Sequence, residues 1–213
     1  MRAPIAVADV LAAAPQRPPS LATWRRLTAA LDAATGDDLA RDLDLAATAC
    51  ADWPDPVRRA PGPGLHDLFE GRRQPRLQIA RTLDLALLGP DIRGDRLAWA
   101  DVPELAAATV VRIFDDRLGD AGLARWLASA NNARPVEIAL AAGITDDGAR
   151  ELAADPRLVH VRSLAPFRNA IGPDGLAALL AAPMPRLRRL RLGRNLFGEP
   201  GAPRQAGLQR LCL

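Results

Sequence analysis

Residues 81–213 predict an α/β fold: a short solenoid of stacked strand–turn–helix units, preceded by a helical cap. Three observations carry this. First, "RLGDAGLARWLA" from Arg117, "GITDDGARELAA" from Gly143, "AIGPDGLAALLA" from Ala170 and "LFGEPGAPRQAG" from Leu196 align on Gly122, Gly148, Gly175 and Gly201, at spacings of 26, 27 and 26. Second, a short apolar alternation precedes each turn: "VVRIF" (110–114), "VEIAL" (136–140), "VRSL" (161–164) and "LRRLRL" (187–192). These read as brief strands. Third, an Ala/Leu-rich stretch of helical character follows each glycine turn. Strands joined through a helix must run parallel, with the helices on one side of the sheet. No unit buries its own apolar face, so stacking must do it.

Taken in order, residues 1–20 hold four prolines and read as an extended leader with at most one helical turn. Arg2, a short apolar run and small residues give this leader a superficial likeness to a signal peptide, but Asp9 interrupts the run. Residues 21–80 read as a small helical module. Ser20 is placed to cap a first helix carrying Leu21, Trp24, Leu27 and Leu31 at helical spacing. "TGDD" at 35–38 breaks it, and Asp37 or Asp38 is placed to cap a second helix with Leu39, Leu43, Ala46, Ala47 and Cys50 on one face. "RRAPGPG" (58–64) is a loop, and Leu65, Leu68 and Phe69 open a short amphipathic segment. The repeats occupy 81–213, beginning with an irregular copy, "LDLAL" (83–87) followed by "GPDIRGDRLAWA", and amounting to about five units with the last incomplete.

The fourth unit, "LRRLRLGRNLFGEPG", carries the spacing L-x-x-L-x-L-x-x-N on Leu187, Leu190, Leu192 and Asn195. With its downstream helix pattern it resembles the leucine-rich-repeat proteins, in particular the ribonuclease-inhibitor-like subclass. It is also similar to compact leucine-rich-repeat proteins of GC-rich bacteria, whose repeats read N-x-I-G-D-x-G and often follow a small helical region. The resemblance covers about 81–213. It implies parallel strands on a concave face, helices on the convex face, and partner binding on the concave side. The repeat Asn is expected to bond backbone groups where the strand turns away. The glycine is expected to allow close approach or a positive φ. The chain departs from the pattern where Asp116 and Ala142 replace Asn, where Pro166 interrupts the third strand, and where Pro200 and Pro203 fall in the fourth helix. "LQRLCL" lies where a fifth strand should begin, and an uncapped repeat edge there would favour self-association.

Composition narrows function more by exclusion than by assignment. Nearly half of the 213 residues are hydrophobic, and no apolar stretch approaches a membrane span. Every basic residue is Arg, which codon bias explains as readily as chemistry, and the net charge is only +3. Cys50 and Cys212 form neither a disulfide framework nor a zinc spacing, which fits a reduced, cytoplasmic setting. His66 and His160 have no ligand cluster around them, and "PGPGLHD" (61–67) follows no strand, so neither a metal nor a phosphate loop is expected. No catalytic constellation and no cofactor site is present, and the expected role is not enzymatic. Asp120, Asp146, Asp147, Asp174 and Glu199 recur in register beside helix N-termini, where acids cap and complement the dipole.

The informative side chains are those on the strands that point away from the core. Reading alternate positions gives Asp84 and Ala86, Arg112 and Phe114, Glu137 and Ala139, Arg162, then Arg189 and Arg191. The expected partner-binding set is therefore Arg112, Phe114, Glu137, Arg162, Arg189 and Arg191. The partner it fits is another protein, with an acidic surface for the Arg forks to grip. Two other readings compete: an assembly subunit joining through its repeat edge, and nucleic-acid binding along the Arg stripe. Asp84 and Glu137 on the same face weigh against the last.

Overall fold

The computed structural model describes residues 5–13, 19–60, 67–68, 72, 74–85, 98–129, 131, 134–196 and 210–212. The elements are α1 (Val7–Ala12), α2 (Leu21–Ala33), α3 (Gly36–Ala49), β1 (Thr82–Asp84), β2 (Val110–Phe114), α4 (Gly119–Ala128), β3 (Glu137–Ala141), α5 (Asp146–Ala154), β4 (Ser163–Pro166), α6 (Pro173–Ala181), β5 (Arg189–Arg191) and β6 (Arg210–Cys212). Calls for His66, Ala86, Glu199 and the helix after Gly201 lie outside the described residues.

The fold is α/β. Among the described residues six strands pair in chain order, β1 through β6, and every pairing is parallel. Leu83, Val111, Ile138, Leu164 and Leu190 stand in one row across the sheet, each fully or almost fully buried. Helices α4, α5 and α6 pack neighbour on neighbour and supply Leu123, Trp126, Leu152 and Leu179 to the same core. Burial of this row on the strands and helical-period burial on the connections are what a two-layer α/β arrangement requires, and most strand residues of the opposite phase are buried or half-buried as well.

The helical region is built against the first strand. Ser20 accepts from the Thr23 backbone N–H at 3.2 Å, as its position predicts. Trp24, Leu27 and Leu31 are buried on the inner face of α2. At α3, by contrast, Thr35 occupies the cap position without a side-chain cap bond, and Asp37 and Asp38 lie inside the first turn. There they complement the helix dipole instead of capping. The leader also holds more helix than its prolines predict: α1 runs over six residues and buries Val7 and Val10. Tertiary burial against α2 and α3 gives a short helix the stability that its local sequence lacks.

Residues 58–60 then lie alongside β1. Arg59 bridges Thr82 in parallel, the Ala60 N–H donates to the Thr82 carbonyl at 2.8 Å, and the Thr82 N–H donates to the Arg58 carbonyl at 3.0 Å. Arg58 itself is buried and donates through Nε and Nη2 to the Ile79 carbonyl at 3.0 and 2.8 Å. Burial pulls its guanidinium below the ordinary arginine range. One hydrophobic cluster runs from Val7 in α1 to Leu192 beyond β5.

Two boundaries differ from the sequence reading. The strand expected at 161–164 is Ser163–Pro166, because a 3-10 turn over Pro156–His160 extends to Val161. Pro166 ends this strand and does not interrupt it. Its missing N–H falls where β4 has already outrun β5, and its carbonyl accepts from Asn195 Nδ2 at 2.8 Å.

Candidate functional site

The strand face opposite the helices forms one groove of about 550 Å³. Its floor is small: Ala139 on β3 and Ala165 on β4, with Ser163 beside them. At the β1–β3 end stand Asp84, Arg112 and Glu137; at the β5 end stand Arg189 and Arg191; Phe114 and Phe167 line the side where the strands end. Alternation of side-chain direction produces this set. Asp84, Arg112, Ala139 and Ala165 follow one another along the register, and Arg191 stands one residue past Leu190, the partner of Leu164; each lies one residue beyond a buried Leu, Val or Ile.

The residues expected from sequence divide into three groups. Arg112 and Glu137 come together as a half-buried pair, with Arg112 Nε and Nη2 donating to Glu137 Oε1 at 2.9 and 2.6 Å. On the other flank, Arg112 Nη1 lies 3.7 Å from Asp84 Oδ2, and Arg59 Nη1 lies 3.9 Å from the same oxygen. Arg112 is thus held between two carboxylates across three strands, and its charge is spent within the protein. Phe114 packs edge to face against Phe167, with ring centroids 5.5 Å apart at 62°. Arg189 and Arg191 are exposed on β5, and among the described residues no acid pairs with either.

Arg162 does not join the groove. It precedes β4 and shares the phase of buried Leu164, not that of outward Ser163. Its backbone is engaged instead: its N–H donates to the Val136 carbonyl at 2.8 Å, and its carbonyl accepts from the Arg188 N–H at 2.9 Å. Phe167, Ser163 and Ala165 were missed for the same reason. Placing Leu164 opposite Leu190 would have exposed them, since that pairing sets Ser163 against Arg189.

The framework under the groove is built by side chains that reach from one unit to the one before it. Asn169 is buried, and its Oδ1 accepts from the Ala142 and Ile144 N–H groups at 2.9 and 3.3 Å. Its Nδ2 donates to the Leu140 and Phe167 carbonyls at 2.9 and 3.1 Å. Asn195 repeats the arrangement one unit on, accepting from Ile171 N–H at 3.3 Å and donating to the Pro166 and Leu192 carbonyls at 2.8 and 2.6 Å. The residues just before them, Arg168 and Arg194, sit at φ of 55° and 60°.

The recurrent acids act across units too. Asp120 accepts from the Thr145 N–H at 2.8 Å, and Asp146 accepts from the Gly172 and Gly175 N–H groups at 2.6 and 2.9 Å. Each therefore caps the helix that follows its own. This explains the repeated glycine. A Cβ on Gly175 would meet Asp146 Oδ1 at 2.5 Å, Ile171 Cγ2 at 2.8 Å and Ala149 Cβ at 2.9 Å. Close approach, and not a positive φ, is what the position demands.

Other reactive residues are quiet. Cys50 is fully buried, and burial pushes its thiol from 9.0 up to about 11, against the smaller opposing pull of Arg58. His160 ends the 3-10 turn, partly exposed. Among the described residues no group of three His, Cys, Asp or Glu side chains is placed to hold a metal ion, and no helix is long and apolar enough to cross a membrane. No protein-family model matches the chain, and comparison with curated proteins gives no match.

Proposed function

We propose that this chain is a short leucine-rich-repeat solenoid acting as a non-catalytic protein-interaction module that binds its partner in the sheet groove. The observation that carries the reading is the groove itself. Alternate strand residues converge on it from β1 to β5, and its small floor lies between ionic ends and an aromatic edge. The repeat assignment draws support from the two Asn side chains, which bond the preceding unit's backbone at equivalent positions. Parallel strands in unbroken chain order are what such an array requires. A rigid sheet presents side chains at fixed spacing, so binding costs little ordering entropy.

Filling the groove tests the reading. Ala165→Trp places an indole on the floor, and the purified variant should lose partners that the wild-type chain captures from its native extract. Far-ultraviolet circular dichroism and melting temperature verify that the variant is folded. Equal capture by a folded variant would remove the concave face as the binding site.

A further inference from the structure

Arginine pairing is uneven along the chain. Before residue 158, Arg41, Arg59, Arg72, Arg76, Arg112, Arg125, Arg150 and Arg157 each have a carboxylate partner, while Arg25, Arg26, Arg58, Arg81, Arg117 and Arg134 have no ion pair among the described residues. From residue 158 onward acids become scarce. Residues 158–196 contain Arg162, Arg168, Arg186, Arg188, Arg189, Arg191 and Arg194 but only one acid, Asp174, which Arg150 engages. Among the described residues none of these seven arginines has an ion-pair partner. Two of them, Arg189 and Arg191, stand inside the groove.

We infer that the groove takes an extended acidic segment of a partner protein, with carboxylates at alternate positions over Arg189 and Arg191 and an apolar side chain against Phe114 and Phe167. This rests on the concave-face reading above and specifies its partner. Alternate residues of a strand stand about 6.6 Å apart, so i and i+2 carboxylates of an extended segment match alternate arginines on β5. The arginine forks bind carboxylates through paired N–H donors. Ala139 and Ala165 leave depth for one side chain between the arginines and the rings. Arg112 is not an anchor: Asp84 and Glu137 already hold it. The same two acids line the groove's other end and oppose a polyanion laid along its full length, which favours a peptide over nucleic acid.

The test pans a phage-displayed library of random short peptides on the immobilised full chain. Enriched sequences should carry Asp or Glu at alternate positions beside an apolar residue. A synthetic peptide of that consensus should bind at least about tenfold more weakly to the Arg189→Glu/Arg191→Glu variant, and more weakly at raised salt. Ala165→Trp should abolish its binding. Peptides without acidic enrichment that are still lost on Ala165→Trp would overturn the acidic partner while leaving the groove as a binding site. Peptides insensitive to Ala165→Trp would overturn both. Failure to enrich any peptide, retention by the double Glu variant, or tighter binding of labelled single-stranded oligothymidylate than of the consensus peptide would also overturn the inference. Arg162→Glu/Arg186→Glu, at two exposed positions outside the groove, makes the same change in net charge: an equal loss there would reduce the effect to long-range attraction and overturn the specific seat.

Discussion

Asn169 shows how much one polar side chain can hold. Four backbone groups, those of Ala142, Ile144, Leu140 and Phe167, find their partner in its amide. Each buried backbone group left unpaired costs on the order of 1–3 kcal/mol, although neighbouring losses are not additive. Asn169→Ala should therefore destabilise by about 3 kcal/mol, read by urea unfolding, and Asn195→Ala, whose amide is less buried, by less. Cys50 offers a second residue-scale prediction, because the chain has no Lys and no Tyr to titrate alongside it. Its thiol is raised from 9.0 to about 11 in the folded state. A raised folded value means stability is intact below pH 9.0 and lost as the pH climbs towards about 11, where the unfolded chain alone is ionised. Cys50→Ala should flatten the fall in stability across that window. An unchanged slope would show that burial does not control this thiol.

At the scale of elements, the repeated helix starts are coupled in series. Asp146 belongs to α5, yet it bonds the N–H groups that open α6. Asp146→Ala should cost about 1–2 kcal/mol, the ordinary worth of a cap, through a helix other than its own. Gly175→Ala pits two effects against each other. Alanine gains about 1 kcal/mol of helix propensity over glycine. Overpacking against Asp146, Ile171 and Ala149 costs about 1–3 kcal/mol, since only the carboxylate can move aside cheaply. Net destabilisation in thermal melts is expected. The double variant Asp146→Ala/Gly175→Ala should be less unstable than the sum of the singles, because removing the carboxylate relieves the clash. Additive losses would show that the acid and the glycine do not share a site.

For the whole molecule, the decisive feature is continuity. The helical region meets the sheet through backbone pairing at Arg59 and Thr82, through Thr82 Oγ1 donating to the Asp55 carbonyl at 2.7 Å, and through Trp24 Nε1 donating to the Arg59 carbonyl at 2.6 Å. One core runs through both parts. Unfolding should accordingly be a single cooperative transition by circular dichroism and by tryptophan fluorescence. Trp24→Phe, which keeps the ring but loses the donor, should lower stability by about 1 kcal/mol without splitting the transition. Two separated transitions would show that the helical region and the sheet fold independently.

The legible parts of this protein are periodic ones. The glycine spacing announced α4, α5 and α6, and the apolar alternations announced the parallel strands, because period 3.6 and period 2 are written residue by residue. Phase was harder. Nothing local tells whether Val161 belongs to a strand or to the turn before it, so alternation read from Val161 puts Arg162 in the outward set and leaves Phe167 out, whereas the groove holds Phe167 and not Arg162. Charge pairing was not legible at all. Arg112 and Arg189 look alike in the sequence, and only the packing of β1, β2 and β3 side by side neutralises the first while leaving the second exposed. The sequence by itself determined the α/β class, the order of units and most of the groove's membership, through short-range periodicity. The tertiary structure alone decided which groove charges are paired and which stay exposed, because that depends on contacts between residues some 25 or more positions apart.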